Sequence, residues 1–215
     1  MLLLSTVAFF DEQNRVYGMG AGIHACGAFP SGSSDGKPEG GRSLSKTYKR
    51  SLNFGCGMKI NPGGEWVNVD IQKHEGIDVS FDFEEFPYPL EDNSFDYIVA
   101  DNVLEHLNRC DRVVDEFYRI CRDNAEILVR VPYWNAKCAY NDPTHVRFFN
   151  ERAILLLFGV QPSYLHSMPH RFELISLKLV PSNMCRYIPS PLRFILSTYI
   201  CNVIRAVEAR FRAKK

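Results

Sequence analysis

The middle of the chain alternates short apolar runs with loops and one long amphipathic segment. The apolar runs have the length of strands and lie at 51–55, 66–70, 77–82, 95–100 and 125–131. Between the last two, apolar residues recur at helical spacing from Val103 to Ile120, and Asn124 is expected to separate this helix from the next strand. Strands interleaved with helices predict an α/β fold with a mostly parallel, doubly wound sheet and flanking helices. Ligands bind such sheets beyond the carboxyl ends of the strands.

The first two strand ends carry the residue types that a nucleotide-like ligand needs. Gly55 and Gly57 follow the first strand, and glycines allow a sharp turn and a close approach of the backbone to a ligand. Asp70 closes the second strand, thirteen positions after Gly57, where a carboxylate can accept hydrogen bonds from ribose hydroxyls. A plain turn at the glycines and a helix-capping role for the aspartate are the alternatives.

The next two strand ends continue this pattern. Asp82 ends the third strand, where it can accept a hydrogen bond from an exocyclic amine, and Phe83 beside it offers an apolar face for a ring. Asp101 and Asn102 end the fourth strand. Four consecutive strands therefore end in polar side chains that one ligand could contact.

Two stretches resemble motifs of class I S-adenosylmethionine-dependent methyltransferases, in particular the type 11 methyltransferase-domain group in a compact bacterial form. Leu52–Gly57 resembles their glycine-rich first motif, and 94–99 with 103–107 is similar to a later strand and helix start. The resemblance covers about 52–132. It extends loosely to 142–149, which resembles a loop of bacterial members associated with cell-surface glycan synthesis. It implies a Rossmann-like fold and S-adenosyl-L-methionine as the cofactor.

The resemblance also implies a set of cofactor-binding residues. These are Asn53, Gly55, Cys56, Gly57, Asp70, Ile71, Asp82, Phe83, Asp101 and Asn102. The glycine loop would pass under the amino-acid portion of the cofactor, Asp70 would hold the ribose, and Ile71 would lie against the adenine. Asp82 would face the adenine amine, and Phe83 would border its ring. Asp101 and Asn102 would lie near the methionine portion.

Two departures from the family pattern are visible. Asn53 stands where an acid is common, which weakens an expected contact with the cofactor's ammonium group. The stretch from Gly57 to Asp70 is too short for the usual full helix, and Gly63-Gly64 predicts a turn instead.

His145 is the candidate catalytic base, because it lies in a polar loop after the fifth strand and histidine titrates near neutral pH. The alternative is a histidine that hydrogen-bonds Asp142 and orders this loop. His106 is expected to pack or cap rather than to act in catalysis. The six histidines show no paired metal-ligand spacing, so the sequence predicts no metal site.

Composition limits the partners and the compartment. Twenty-five basic and twenty-five acidic side chains cancel, so no overall charge predicts a nucleic-acid partner. The seven cysteines contain no C-x-x-C pair, which argues against disulfides and zinc knuckles and predicts a reducing, cytoplasmic location.

Three segments are expected. Residues 1–45 are predicted to be a flexible or weakly structured extension, because 18–45 is rich in Gly, Ser and Pro. Residues 46–189 form the methyltransferase domain, and 190–215 form an amphipathic helix with a basic end. That helix is expected either to pack on the domain or to rest on the inner face of an anionic membrane.

The leading interpretation is an enzyme that methylates a small-molecule or glycan-linked acceptor. A nicotinamide-dependent dehydrogenase is disfavoured, because Ile60 replaces the third glycine of the dinucleotide motif and the acid follows sooner than the usual ~20 residues. A catalytically degenerate cofactor-binding module, recruited to a membrane or a partner protein, stays open as the alternative.

Overall fold

The computed structural model describes residues 50–161 and 171–215. The predicted N-terminal extension lies outside these ranges. The strands are β1 (Ser51–Phe54), β2 (Trp66–Asp70), β3 (Val79–Ser80), β4 (Phe95–Asp101), β5 (Cys121–Pro132), β6 (Phe172–Pro181) and β7 (Ile204–Ala213). The helices are α1 (Cys110–Ile120), α2 (Lys137–Tyr140), α3 (Glu151–Leu157) and α4 (Ser190–Tyr199), with 3-10 turns at Leu104–His106 and Asn183–Cys185.

The seven strands form one sheet in the order β3-β2-β1-β4-β5-β7-β6. The first five strands pair in parallel, whereas β7 runs antiparallel to β5 and β6. All four residues of the interior strand β1 are buried, as expected for a parallel strand covered on both faces. The predicted α/β class with a mostly parallel sheet is confirmed.

The connection from β1 to β2 contains no helix, as the short span and the glycine pair predicted. Gly63 has a φ of +118°, and its carbonyl accepts a hydrogen bond from the Trp66 amide at 3.1 Å. This turn leads the chain directly into β2.

The segment after β4 differs from the prediction of one helix over 103–120. A 3-10 turn at Leu104–His106 precedes α1, which buries Val113, Val114, Phe117 and Ile120. The next strand begins at Cys121, so Asn124 lies inside β5 rather than before it. The pairing of β4 with β5 shifts register there, and Asn124 adopts a φ of +61°.

The prediction of a helix over 190–215 is wrong beyond Tyr199, because residues 204–213 form β7. Ala209, Phe211 and Ala213 are buried there, and the residues between them are half-buried. Positions four apart share one face in a helix and in a strand, so the apolar pattern fitted both periods. Strand β6, which pairs with β7, was also not predicted.

The core of the domain lies between the sheet and α1 on one side, where Phe54 packs edge-on against Phe117 at a centroid distance of 5.0 Å. At the other end of the sheet, Phe211 of β7 stacks on Phe158 at 4.0 Å. No helix in the described ranges is long and apolar enough to cross a membrane.

Candidate functional site

The glycine loop begins where β1 ends. Gly55 and Gly57 have φ values of +64° and +50°, a region that favours glycine. The amides of Gly55 and Cys56 both donate to the Val69 carbonyl, at 2.9 and 3.1 Å, which ties the loop to the end of β2. A Cβ on Gly55 would lie within 3.0 Å of both γ-carbons of Val103, whereas one on Gly57 would meet no atom of residues 50–161 and 171–215 within 4 Å. Gly55 is therefore required by packing, and Gly57 borders open space.

The carboxylate of Asp70 is fixed beside this open space. Its Oδ2 accepts a hydrogen bond from the Gly57 amide at 2.8 Å, and its Oδ1 accepts one from the Gln72 amide at 3.0 Å. Each carboxylate oxygen can accept two hydrogen bonds, so each keeps one position for a ligand. Ile71, the next residue, has a 47% exposed side chain that offers an apolar surface next to this carboxylate.

Asn53 and Cys56 are both buried at the base of the loop. The Asn53 side-chain amide donates to the Lys59 carbonyl at 2.8 Å and to the Asn68 Oδ1 at 2.9 Å, and the residue is 6% exposed. Burial, together with the nearby Asp70 carboxylate, raises the pKa of the Cys56 thiol to about 12. The thiol is therefore neutral at physiological pH.

Asp82 and Phe83 separate in the structure although they are neighbours in sequence. Asp82 is exposed, and its Oδ1 accepts a hydrogen bond from the Glu84 amide at 2.8 Å. Phe83 is 4% exposed and stacks on Phe54 at a centroid distance of 4.1 Å. The prediction that the Phe83 ring borders an adenine is therefore corrected: the ring packs in the core, and only its main chain remains for such a contact.

The end of β4 holds polar atoms that lack partners. Asp101 Oδ2 accepts a hydrogen bond from Lys59 Nζ at 3.0 Å, but Asp101 Oδ1 is buried and has no hydrogen-bond partner among the described residues. The buried Asn102 Nδ2 also lacks a partner within that part of the chain, and its backbone has a φ of +56°. Buried polar groups are rarely unsatisfied, so these two atoms are candidate contacts for a water or a ligand.

Three further titratable side chains meet just beyond β4. One potential ligand atom from each of Glu105, His106 and His145 lies within 4.8 Å of the others. The two imidazole rings have a centroid distance of 4.6 Å and an interplanar angle of 74°. Burial raises the pKa of Glu105 to about 8, whereas burial and the neighbouring His145 lower the pKa of His106.

The His145 Nδ1 contacts a backbone carbonyl and not the Asp142 carboxylate. Its Nδ1 lies 2.9 Å from the Ala139 carbonyl, so the ring does not hydrogen-bond the Asp142 carboxylate through this nitrogen. The loop that carries His145 is fixed to the 3-10 turn by the amides of Val146 and Arg147, which both donate to the Glu105 carbonyl. Histidine spacing alone could not reveal the cluster; the adjacent Glu-His pair at a strand end was the available signal.

Residues 52–129, which contain the glycine loop, the Asp70 carboxylate and the end of β4, match a family model described as a methyltransferase domain. The matched segment covers 78 of the 215 residues, so over that part of its length the chain is similar to methyltransferase domains. No curated protein matches the whole sequence significantly.

Solved structures share the fold of this domain. A SAM-dependent methyltransferase from Archaeoglobus fulgidus is similar with a TM-score of 0.56 and 16% identity, over 76% of this chain and 86% of that chain. The [4+2]-cyclase SpnF has a TM-score of 0.54 and 15% identity, over 80% and 77%. A SAM-dependent methyltransferase from Mesorhizobium loti has a TM-score of 0.50 and 11% identity, over 76% and 90%. At these identities the likeness shows the fold alone.

Proposed function

We propose that this chain binds S-adenosyl-L-methionine at the carboxyl ends of β1, β2 and β4 and transfers its methyl group to a small-molecule or glycan-linked acceptor. One observation carries the proposal. The Asp70 carboxylate is oriented by the Gly57 amide, beside space that no atom of the described residues fills. A ribose needs such a carboxylate, with free lone pairs and an open approach.

The other side chains of the site fit the remaining parts of the cofactor. Ile71 supplies an exposed apolar surface for the adenine, and Asp82 supplies an exposed acceptor for its amine. The unpartnered Asp101 Oδ1 suits an ammonium donor, and the unpartnered Asn102 Nδ2 suits a carboxylate acceptor. Both groups occur in the methionine portion of the cofactor.

The bound cofactor supplies a methyl group attached to a positively charged sulfonium sulfur. That sulfur is a good leaving group. The protein therefore contributes mainly orientation of the acceptor and removal of its proton. His145 is the candidate for contacting the acceptor, because it is half-buried and lies in the loop that folds over the end of β4.

Calorimetric titration with S-adenosylmethionine tests the binding step. A hydrogen bond to a charged group contributes roughly 1.5–3 kcal/mol, so Asp70→Ala should weaken binding by about tenfold or more. Asp92→Ala is the matched control, because Asp92 precedes β4 and lies at the opposite edge of the sheet. Equal affinity of the wild type and Asp70→Ala would refute the proposed site.

Release of S-adenosylhomocysteine in the presence of candidate acceptors tests the transfer step. Turnover with a hydroxylated small molecule or a glycan precursor supports the enzyme. Tight cofactor binding without turnover on any acceptor supports the degenerate binding module instead. The distinction matters because a [4+2]-cyclase shares this fold, so the fold does not determine the reaction.

A peripheral membrane contact is a second proposal, and α4 favours it. Leu192, Phe194, Ile195 and Tyr199 all expose their side chains on this helix. A helix with exposed apolar side chains can insert them into the headgroup region of a bilayer. The basic residues of β7 do not carry this proposal, since Arg212, for example, pairs with Glu126 across the sheet at 3.6 Å.

A further inference from the structure

The carboxylate of Glu105 is the most unusual polar group outside the cofactor positions. Glu105 is 1% exposed, and neither carboxylate oxygen has a hydrogen-bond partner among the described residues. A buried carboxyl group without a partner is costly even as the neutral acid that its raised pKa favours, so Glu105 needs an explanation in an unseen water, ion or ligand. The two nearest side chains that could share an ion with it are those of His106 and His145.

In both histidines a hydrogen bond at Nδ1 leaves Nε2 unprotonated. The Ala139 carbonyl can only accept, so His145 Nδ1 carries the proton, at 2.9 Å. The Thr144 hydroxyl donates to Asp142 Oδ1 at 2.7 Å, so its oxygen accepts a hydrogen bond from His106 Nδ1 at 2.8 Å. Each neutral imidazole therefore presents Nε2 as a lone pair.

This arrangement is the one that metal-binding histidines use. A ligating imidazole usually donates its other N–H to a carbonyl, a carboxylate or a similar acceptor, which fixes the tautomer and the ring orientation. Here Ala139 plays that part for His145. Thr144, itself held by Asp142, plays it for His106.

We propose that Glu105, His106 and His145 bind one divalent transition-metal ion of the Zn²⁺ type. Metal bonds of 2.0–2.1 Å place neighbouring ligand atoms roughly 3–3.5 Å apart, so atoms within 4.8 Å need only small side-chain rotations to close on an ion. Two imidazoles and one carboxylate favour Zn²⁺, Co²⁺ or Fe²⁺ over Mg²⁺ and Ca²⁺, which prefer oxygen ligands. Three protein ligands leave a coordination position open, as in catalytic sites.

The position of the ion gives it a role that rests on the proposed methyl transfer. Glu105 follows Asp101, the last residue of β4, by four positions, so the ion lies next to the expected methionine portion. A hydroxyl oxygen of the acceptor would take the open position, and its proton would leave to water. The new O–C bond forms as the S–C bond breaks, and the electron pair of that bond stays on sulfur. His145 then acts as a metal ligand rather than as the base.

Metal titration of chelator-treated, dialysed full-length protein tests the site. Calorimetry with Zn²⁺ and visible absorption with Co²⁺ should show one ion per chain, and Mg²⁺ should bind at least tenfold more weakly. His145→Ala and Glu105→Gln should each reduce Zn²⁺ affinity by more than tenfold. His74→Ala is the control, since His74 lies between β2 and β3, and its affinity should equal that of the wild type.

Thr144→Val tests the metal site even if His145→Ala or Glu105→Gln fails to fold. It leaves all three ligand side chains in place but removes the acceptor of the His106 N–H, together with the hydrogen bond from that hydroxyl to Asp142, and loss of such outer support lowers metal affinity by about 10–100-fold. Absence of Zn²⁺ binding up to millimolar concentration would overturn the proposal. Zn²⁺ affinity that stays at the wild-type value in His145→Ala, Glu105→Gln and Thr144→Val would also overturn it. Titration with S-adenosylmethionine in the presence of chelator measures cofactor binding without the metal. A failed metal site and a failed cofactor site are therefore distinguishable.

Discussion

Replacing the two glycines of the β1 loop with alanine should have different effects on stability, although both have positive φ. The left-handed conformation costs an alanine about 1–2 kcal/mol at either position. At Gly55 the added Cβ also lies within 3.0 Å of both γ-carbons of the buried Val103, and such overpacking costs about 1–3 kcal/mol more. The free energy of unfolding should therefore fall by ~2–5 kcal/mol for Gly55→Ala and by ~1–2 kcal/mol for Gly57→Ala.

Urea unfolding of the ligand-free protein measures this difference directly. Effects on the unfolded chain are common to both substitutions, so they cancel in the comparison. The Val103→Ala background provides a second check, because it removes the two atoms that clash with the new Cβ at residue 55. Gly55→Ala should then cost at least about 1 kcal/mol less in that background than in the wild type.

The same two variants should also differ in cofactor affinity, and here Gly57→Ala should show the direct effect. Gly57→Ala keeps the fold but places a methyl group in the space beside the Asp70 carboxylate, so affinity for S-adenosylmethionine should fall strongly. Equal losses of stability for the two variants, or normal affinity of folded Gly57→Ala, would refute the reasoning that assigns one glycine to packing and the other to the ligand.

Two further predictions concern the core and pH. Phe211→Ala should reduce the free energy of unfolding by ~3–5 kcal/mol in urea titrations, because Phe211 is fully buried on β7, whereas a surface helix would lose much less. Burial raises the pKa of Glu105 from its ordinary 4.5 to about 8 in the folded protein, so its contribution to stability is full below about pH 4.5 and is lost as the pH rises through 8. Chelator-treated wild type should therefore lose about 2–3 kcal/mol of stability from about pH 6 to about pH 8 relative to Glu105→Gln. Parallel profiles for the two proteins would contradict the burial of this carboxylate.

The first half of the domain was predictable because local signals and tertiary structure agree there. The strands β1, β2, β4 and β5 are apolar runs bounded by polar turns, and their carboxyl ends carry the side chains that the sheet brings together. The contact between the Gly57 amide and Asp70 follows from two adjacent parallel strands. Sequence pattern and topology therefore lead to the same site.

The second half was not predictable from periodicity, for two physical reasons. Val203, Val207 and Phe211 are four residues apart, a spacing that gives one apolar face in a helix and in a strand alike. Only the pairing of β7 with β5 and β6 decides between them, and this pairing is long-range. The cluster of Glu105, His106 and His145 also depends on long-range contacts. Backbone hydrogen bonds from Val146 and Arg147 to Glu105 bring His145 to His106.

The Phe83 ring was misplaced for a related reason. Its neighbour Asp82, two residues past the end of β3, stays exposed, whereas the ring turns inward onto Phe54. A sequence does not show on which side of the chain an aromatic ring packs when the strand before it is only two residues long.

Membrane binding offers a test in which the helix prediction and the observed structure give different results. An amphipathic helix over 190–215 would attract anionic lipid through its basic end, so Lys214→Gln/Lys215→Gln should weaken binding. In the structure only Ser190–Tyr199 of that segment is helical, Ile204–Ala213 is strand β7, and Lys214, directly after β7, pairs with Glu173 at 3.0 Å. Any insertion would instead come from α4, where Phe194 is 60% exposed and Ile195 is 56% exposed.

Vesicle sedimentation at low and high salt should therefore show that Phe194→Ser/Ile195→Ser reduces binding, because burying each such side chain contributes about 1.5–3 kcal/mol. The lysine pair should behave as the wild type apart from a small, salt-screened loss. Both variants should keep their affinity for S-adenosylmethionine, since α4 is outside the strand ends that form the cofactor site. Wild-type protein that fails to sediment with anionic vesicles would end the membrane proposal. Loss of binding in the lysine variant alone would show that surface charge, and not the apolar side chains of α4, makes the contact.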